Sequence, residues 1–236
     1  MLKIWGRTNS VNVKKVLWCA DELGLNYERV DAGLQFGVVN EPWYRKMNPN
    51  GLVPTIDDAG LILWESNTIV RYLAAKHGSG TLWPAHPGER AASEKWMDWV
   101  ISTLSGPYRD VFWGLVRTPP EKRNMEQIEA GRKKCTELFA MADAALAGKH
   151  FIGGERLTIG DIPLGCFAYG WYAMPIERPV MRNLDAWYAR LGEREAFRKH
   201  VMLPRSCATL SFLGAQRRGI CFTGIRRKAD PSRSLP

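Results

Sequence analysis

The hydrophobic periodicity of this 236-residue chain changes at a short segment rich in glycine and proline. Before the segment, runs typical of strands alternate with helical runs, whereas the apolar residues after it keep helical spacing. The composition of the segment is typical of a linker, with Gly78, Gly80, Pro84 and Pro87. We therefore expect an α/β domain over residues 1–80 and an all-α domain over residues 88–204.

The first domain follows the order β-α-β-α-β-β-α, which implies a mixed sheet covered by helices. The predicted strands are Leu2–Trp5, Tyr27–Val30, Pro54–Asp57 and Leu61–Trp64. The predicted helices are Val13–Leu23, Glu41–Met47 and Glu65–His77. Asp58-Ala59-Gly60, between the last two strands, is a hairpin signal.

The second domain consists of predicted helices without a visible internal repeat. These helices are Glu89–Val116, Pro119–Leu146, Asp161–Tyr172, Asn183–Leu191 and Arg194–Val201. Helical patterning stops at Pro204, and residues 205–236 are predicted to be a poorly ordered basic tail.

The net charge of +9 comes mostly from that tail, which contains seven basic residues and one acid. The first 204 residues contain 26 basic and 23 acidic residues, with no basic stripe of interleaved aromatics. A nucleic-acid partner is therefore not expected for the two domains. A contact between the basic tail and nucleic acid is the alternative.

Cysteine usage and the N-terminal sequence indicate a reducing, cytoplasmic setting. The five cysteines form no C-x-x-C pair, and Met1–Arg7 lacks the apolar core of a signal peptide. The longest window without charge, Ile162–Ile176, is too short to span a bilayer. We expect no membrane segment and no metal.

A polar loop, Arg7–Asn12, lies between the first strand and the first helix. Ser10 falls at the positive end of that helix, where unpaired backbone amides stabilise an anion such as a thiolate. The alternative is that Ser10 only caps the helix.

Two further signals suit a peptide with an amino-acid head. The Val53-Pro54 bond is a candidate cis bond, and Val53 offers a backbone edge to an extended peptide. Glu65 and Ser66 open a helix, where the hydroxyl and amides suit a carboxylate and Glu65 suits an ammonium group. The alternatives are an edge-strand proline and a simple acidic helix start.

A fourth signal, Thr158-Ile159-Gly160-Asp161, fits a capping box with Thr158 as the N-cap, and we interpret it as structural.

Taken together, the segments N-S-V-N-V-K-K-V, N-G-L-V-P-T, E-S-N-T-I-V-R-Y-L and T-I-G-D resemble those of cytosolic glutathione S-transferases in order and spacing. The resemblance extends over residues 1 to about 204 and points to bacterial Ser/Thr-type members, similar to the theta and nu groups. It implies a thioredoxin-like domain followed by an all-helical domain, a homodimer, and glutathione as co-substrate.

The resemblance also implies roles for individual residues. Ser10 would donate to the glutathione sulfur, and Asn12 falls where nu-like members place a second polar group. Val53, followed by a cis Pro54, would pair with the cysteinyl backbone. Glu65 and Ser66 would hold the ammonium and carboxylate of the γ-glutamyl group.

The chain departs from many relatives at Leu52, where a lysine or arginine often reaches the glycyl carboxylate. Arg7 and the Phe36-Gly37 backbone are the candidates to replace that cation. The electrophile is expected between the domains, and the candidate pocket residues are Trp99, Thr103, Tyr108 and Trp113. For each of these residues the alternative is helix packing.

The predicted function is therefore that of a glutathione transferase in detoxification. The glutathione thiolate would attack a small soft electrophile, a disulfide or a peroxide, and the choice among these stays open at this point. The alternative is a non-enzymatic binding or assembly module with the same fold.

Overall fold

Four strands form one sheet in the N-terminal part of the computed structural model, which describes residues 1–203. These strands are β1 Leu2–Trp5, β2 Tyr27–Val30, β3 Thr55–Asp58 and β4 Leu61–Trp64. The sheet order is β2-β1-β3-β4, with β1 parallel to β2 and the other neighbours antiparallel. The mixed sheet and the hairpin between the last two strands are thus confirmed.

Helices cover the sheet and make up the regular structure that follows it in the described residues. The helices are α1 Val11–Glu22, α2 Pro42–Met47, α3 Ser66–His77, α4 Pro87–Trp99, α5 Ser105–Phe112, α6 Met125–Ala145, α7 Asp161–Ala173, α8 Arg182–Gly192 and α9 Glu195–His200. The predicted combination of an α/β part and an all-α part is therefore confirmed.

Helices α4 and α5 belong to one long helical stretch that contains two π-helical segments. The first segment, Val100–Leu104, joins α4 to α5, and the second, Trp113–Arg117, follows α5. A π turn accommodates an extra residue, so the side chains beyond it are rotated relative to an uninterrupted α-helix.

Two predicted boundaries near prolines are wrong. β3 begins at Thr55 rather than at Pro54, because proline has no N–H to donate to the ladder. α6 begins at Met125, since Pro119 leads instead into a 3₁₀ turn at Pro120–Lys122. The side chain of Asn124 caps α6 by accepting a hydrogen bond from the Gln127 amide.

The core runs from the sheet through α1 to α7. Ile4 and Ile56 face each other across β1 and β3, and both are fully buried. α7 lies against α1 at Gly165, where an added Cβ would come within 2.9 Å of the Trp18 ring. Because α1 contacts α7 and α9 as well as α3, the described residues form one compact unit.

The division into domains over residues 1–80 and 88–204 stays a prediction. The predicted basic tail, residues 205–236, lies outside the described residues. Within the described part of the chain, no helix combines the length and apolar character needed to cross a membrane. The same residues contain no cluster of three or more side chains suited to a metal ion.

Candidate functional site

Ser10 lies at the start of α1 with a side chain that is 7% exposed. Its backbone is extended, and its carbonyl accepts the first helical hydrogen bond from the Lys14 amide at 2.9 Å. The hydroxyl makes no capping hydrogen bond. Ser10 is thus the N-cap residue of α1 through its backbone, its hydroxyl lies beside the first-turn amides, and its role toward a thiolate stays a prediction.

Asn12, in the first turn of the same helix, lies next to the start of α3. The Ser66 hydroxyl donates to Asn12 Oδ1 over 3.3 Å. The structure thus brings together a residue from the first turn of α1 and a residue predicted to bind the γ-glutamyl carboxylate.

Two buried side chains, Tyr44 of α2 and Asn48 just after it, hold the segment before β3 in place. Tyr44 and Asn48 both donate to the Leu52 carbonyl, over 2.8 and 3.0 Å. The Val53-Pro54 peptide bond is cis, as predicted, and Val53 lies just outside the ladder that begins at Thr55. The Leu52 side chain is 65% exposed and brings no charge to this segment.

The start of α3 combines an exposed acid with a buried hydroxyl. Glu65 precedes the helix with φ of +70°, a left-handed conformation that is uncommon for residues other than glycine. Ser66 is buried, and the first turn of α3 contains no acidic residue. The positive end of this helix is therefore not neutralised by a carboxylate in its first turn.

Sequence reasoning missed two buried polar residues behind Ser66. Lys15 Nζ lies 3.4 Å from both Ser66 Oγ and Asn67 Oδ1. The Asn67 amide is fixed because its Nδ2 donates to the Met97 carbonyl over 2.8 Å. The signal that could have revealed them was a lysine pair, Lys14-Lys15, inside an otherwise apolar stretch of α1.

Arg7 adds positive charge to the loop that carries Ser10. Its carbonyl accepts from the Ser10 amide over 3.2 Å, and its guanidinium lies beside Gly33. Among the described residues, the buried Nε of Arg7 has no hydrogen-bond partner. Burial lowers the pKa of Arg7, and the positive charge of Arg117 lowers it further. A group with negative charge would be stabilised near these two guanidinium groups.

The four candidate electrophile residues have different surroundings. Trp99 packs edge-to-face on Trp96, and Thr103 is exposed in the first π-helical segment. Tyr108 is buried against α7, where its ring lies 4.6 Å from that of Phe167. Trp113 is 59% exposed and lines a surface cavity of about 440 Å³ between α5 and α6. Packing thus accounts for Tyr108, and the electrophile role of all four residues stays a prediction.

The start of α7 differs from the predicted capping box. The Asp161 carboxylate accepts from the amide of Thr158, as in a capping box, and from that of Ile152. The Thr158 hydroxyl, however, donates to the same carboxylate rather than capping an amide. A fourth hydrogen bond comes from Trp187 Nε1 over 2.8 Å. The fully buried carboxylate requires these donors, which is why the hydroxyl turns toward it.

The cysteines of the described residues are not placed for nucleophilic chemistry. Cys19, Cys135 and Cys166 are free and buried. Burial raises the pKa of all three thiols, and those of Cys135 and Cys166 reach about 12. The other two cysteines lie outside the described residues. None of the three cysteines within residues 1–203 is therefore placed to supply a thiolate.

Comparisons with known proteins agree on the family that the chain resembles. The model of the glutathione S-transferase N-terminal domain matches residues 1–75, and that of the C-terminal domain matches residues 106–195. Glutathione S-transferase GstB of Escherichia coli is 48% identical over 208 residues, which cover 87% of this chain and 100% of that protein. Glutathione S-transferase D6 of Drosophila melanogaster is 24% identical, covering 79% of this chain and 85% of that protein.

Solved structures give the same result. A theta class glutathione S-transferase from Xanthomonas axonopodis pv. citri, with glutathione bound, is 52% identical with a TM-score of 0.83. The match covers 86% of this chain and 98% of that structure. Glutathione transferase F2 of Populus trichocarpa is 21% identical with a TM-score of 0.74, covering 86% and 98%, and shows the same fold.

Proposed function

The chain belongs to the glutathione S-transferase family, and we propose that Ser10, Val53, Glu65 and Ser66 carry out its glutathione chemistry. Glutathione is the co-substrate, and the chain is a glutathione transferase. Its relatives favour this enzymatic function over a non-enzymatic module of the same fold. The observation that carries the assignment of residues is the hydrogen bond between Asn12 and Ser66, which joins the starts of α1 and α3.

Ser10 is proposed to activate the thiol. Its hydroxyl donates to the glutathione sulfur and favours the thiolate, and the amides at the start of α1 add to that field. A hydrogen bond to a charged group is worth about 1.5–3 kcal/mol. At 1.36 kcal/mol per pKa unit, this corresponds to a thiol pKa lower by about one to two units.

The remaining residues are proposed to hold the peptide. Val53 pairs with the cysteinyl backbone, Glu65 binds the γ-glutamyl ammonium group, and the Ser66 hydroxyl and amide bind its carboxylate. Asn12 orients the Ser66 hydroxyl, and Arg7 is the proposed cation for the glycyl carboxylate in place of Leu52. With both reactants held together, the thiolate forms a bond to the electrophilic atom, and the leaving group departs with its electron pair.

The setting of the reaction belongs to the same proposal. We propose a cytoplasmic homodimer that detoxifies small electrophiles, with disulfide or peroxide reduction as a side activity. Exposed Trp64 on β4 and Ile101 in the first π-helical segment support a contact with a second copy. The reduced, buried cysteines of the described residues support a reducing compartment.

A side-by-side assay tests this proposal. Turnover of an aryl halide, an organic hydroperoxide and a mixed disulfide of glutathione is measured with and without glutathione. Glutathione-dependent turnover of at least one substrate is expected. Absence of all three activities, in protein that still binds glutathione, would favour the non-enzymatic alternative.

A further inference from the structure

A lysine is buried where the two elements of the proposed glutathione site meet. Lys15 of α1 is 1% exposed, and its Nζ faces Ser66 and Asn67 of α3 at 3.4 Å each. The ring of Phe167 from α7 lies 5.4 Å from the same ammonium group. Lys15 therefore contacts both α3 of the α/β part and α7 of the all-α part.

The charge of Lys15 is poorly compensated by the residues around it. Its two hydrogen-bond partners are neutral, and both distances are at the long end of the hydrogen-bond range. Cys166 of α7 has a pKa raised to about 12 by burial, an effect that the positive charges of Lys15 and Lys14 oppose. Exposed Glu65 and neighbouring Lys14 are the other charged groups nearby. Burial lowers the pKa of Lys15 to about 8, an effect that Glu65 and Cys166 oppose.

We propose that Lys15 is a positioning residue for glutathione, which supplies positive charge to the γ-glutamyl carboxylate through Ser66. The inference rests on the proposed role of Ser66. Because Lys15 donates to Ser66 Oγ, the hydroxyl proton of Ser66 points away from the lysine and donates to Asn12. A bound carboxylate can share this proton with Asn12, and it would then lie one hydrogen bond away from the ammonium group.

Asn67 keeps this arrangement in place. Its Nδ2 donates to the Met97 carbonyl of α4, so its Oδ1 remains directed at Lys15. Asn67 thus holds the Lys15 ammonium group next to Ser66, and Asn67 is itself anchored by its hydrogen bond from α3 to α4. A lysine retained at a buried position against a desolvation cost is consistent with a role in binding an anion.

The neighbouring residue provides a matched control. Lys14 is also buried, but its Nζ donates to the Val201 carbonyl over 2.7 Å and lies 4.5 Å from the centre of the Tyr169 ring. Lys14 is thus a second buried lysine of α1, 8% exposed against 1% for Lys15, and its ammonium group contacts Val201 and Tyr169. Lys14→Met removes one buried charge from the same helix and leaves the contacts of Lys15 with Ser66 and Asn67 in place.

The proposal has a defined pH dependence. A bound carboxylate favours the charged form of Lys15, so binding raises the pKa of Lys15 above its free value of about 8. Affinity is therefore highest at pH values below about 8 and decreases as the pH rises through that value. Above it, binding is accompanied by uptake of a proton on Lys15.

The experiment is calorimetric titration of S-methylglutathione, a probe without a thiol to titrate. Affinity is measured below and above the Lys15 pKa of about 8, in two buffers of different ionisation enthalpy that report proton uptake. Lys15→Met is expected to weaken binding about tenfold below that pH, equivalent to about 1.4 kcal/mol. It should also remove the uptake due to Lys15, raise the KM for glutathione by a larger factor than it lowers kcat, and leave Tm unchanged or higher. Lys14→Met should keep the affinity and proton uptake of the wild type.

Equal affinity of Lys15→Met and wild type, or unchanged proton uptake in Lys15→Met, would overturn the inference. If Lys15→Met does not fold, Lys15→Gln replaces it, because glutamine keeps a donor for Ser66 and removes only the charge. Ser66→Ala separates this inference from the proposed function. Wild-type affinity in Ser66→Ala overturns the proposed site itself, whereas weak binding in Ser66→Ala together with wild-type binding in Lys15→Met overturns only the role of Lys15.

Discussion

Helices α7 and α3 both begin beside a buried hydroxyl, but only α7 supplies its own carboxylate. Asp161 accepts hydrogen bonds from two backbone amides, a hydroxyl and an indole, all within the fold. The first turn of α3 has no acid, and within residues 1–203 the Ser66 hydroxyl is hydrogen-bonded to Lys15 and Asn12 over long distances of 3.3–3.4 Å. The same chemistry thus stabilises the fold at α7 and, on our account, binds a ligand carboxylate at α3.

The difference also shows in the backbone. Glu65 adopts a left-handed conformation before α3, and such strain costs of order 1–3 kcal/mol. Gly160, which precedes α7, is in an ordinary right-handed conformation. A residue with positive φ therefore occurs at the start of α3 and not at the start of α7, as expected where binding rather than folding sets the geometry.

The largest effect, on the free energy of unfolding, is expected when the Asp161 carboxylate is removed. Asp161→Ala leaves the buried donors of Ile152, Thr158 and Trp187 without an acceptor, at about 1–3 kcal/mol each. We expect the free energy of unfolding, measured by urea denaturation, to fall by at least about 3 kcal/mol. Asp161→Asn, which keeps an acceptor, should lose less. A fall of less than about 1 kcal/mol in the free energy of unfolding of Asp161→Ala would mean that the carboxylate at α7 does not stabilise the fold, and the proposed difference between α7 and α3 would be wrong.

Ser10→Ala is expected to act on turnover and not on stability. Its hydroxyl caps no amide, so Tm should be unchanged. Loss of a hydrogen bond worth about 1.5–3 kcal/mol to the thiolate should lower kcat about tenfold to a hundredfold. The pH profile should move to higher pH because the thiol pKa rises, while Ser10→Thr should retain activity. An unaltered pH profile would transfer the role to Asn12 or to the helix field alone.

A smaller effect is expected for Asn12→Ala. The substitution removes the acceptor of the Ser66 hydroxyl, a neutral hydrogen bond worth about 0.5–1.5 kcal/mol. Steady-state kinetics should show a KM for glutathione increased by up to about tenfold, with kcat less affected than in Ser10→Ala. A kcat loss as large as that of Ser10→Ala would instead assign Asn12 to the thiolate.

The smallest expected effect separates strain from charge at Glu65. Glu65→Gly and Glu65→Ala both lose the carboxylate and should weaken glutathione binding equally. Only glycine relieves the positive φ, so Glu65→Gly should be the more stable of the two by about 1 kcal/mol in thermal unfolding. Equal stability would mean that the left-handed conformation at this position costs nothing.

Local sequence patterns predicted most of the fold. The hairpin at Asp58–Gly60 and the cis bond before Pro54 depend on neighbouring residues, and both are found as expected, whereas α1 begins at Val11, two residues before the predicted Val13. The starts of β3 and α6 were displaced because proline restricts the backbone without deciding where hydrogen bonding begins.

Features that depend on distant contacts were not predictable in the same way. The burial of Lys15 depends on α3 and α7, which pack on it from remote positions in the chain. Tyr108 and Trp113 lie in the stretch that the sequence predicted as one helix, Glu89–Val116, and the structure interrupts this stretch with two π-helical segments. A position rotates by about 100° for each residue in a helix, so one extra residue moves a predicted pocket face toward a different neighbour.

The most direct test of carboxylate binding at the start of α3 is glutathione binding by calorimetry. It compares wild type with the double variant Glu65→Gln, Ser66→Ala. On our account each substitution leaves one charge of the γ-glutamyl group without its partner, at about 1–3 kcal/mol. The double variant should therefore bind at least about thirtyfold more weakly than wild type, with its urea midpoint unchanged. Wild-type affinity in a folded double variant would contradict the claim that the start of α3 is completed by the carboxylate of a ligand.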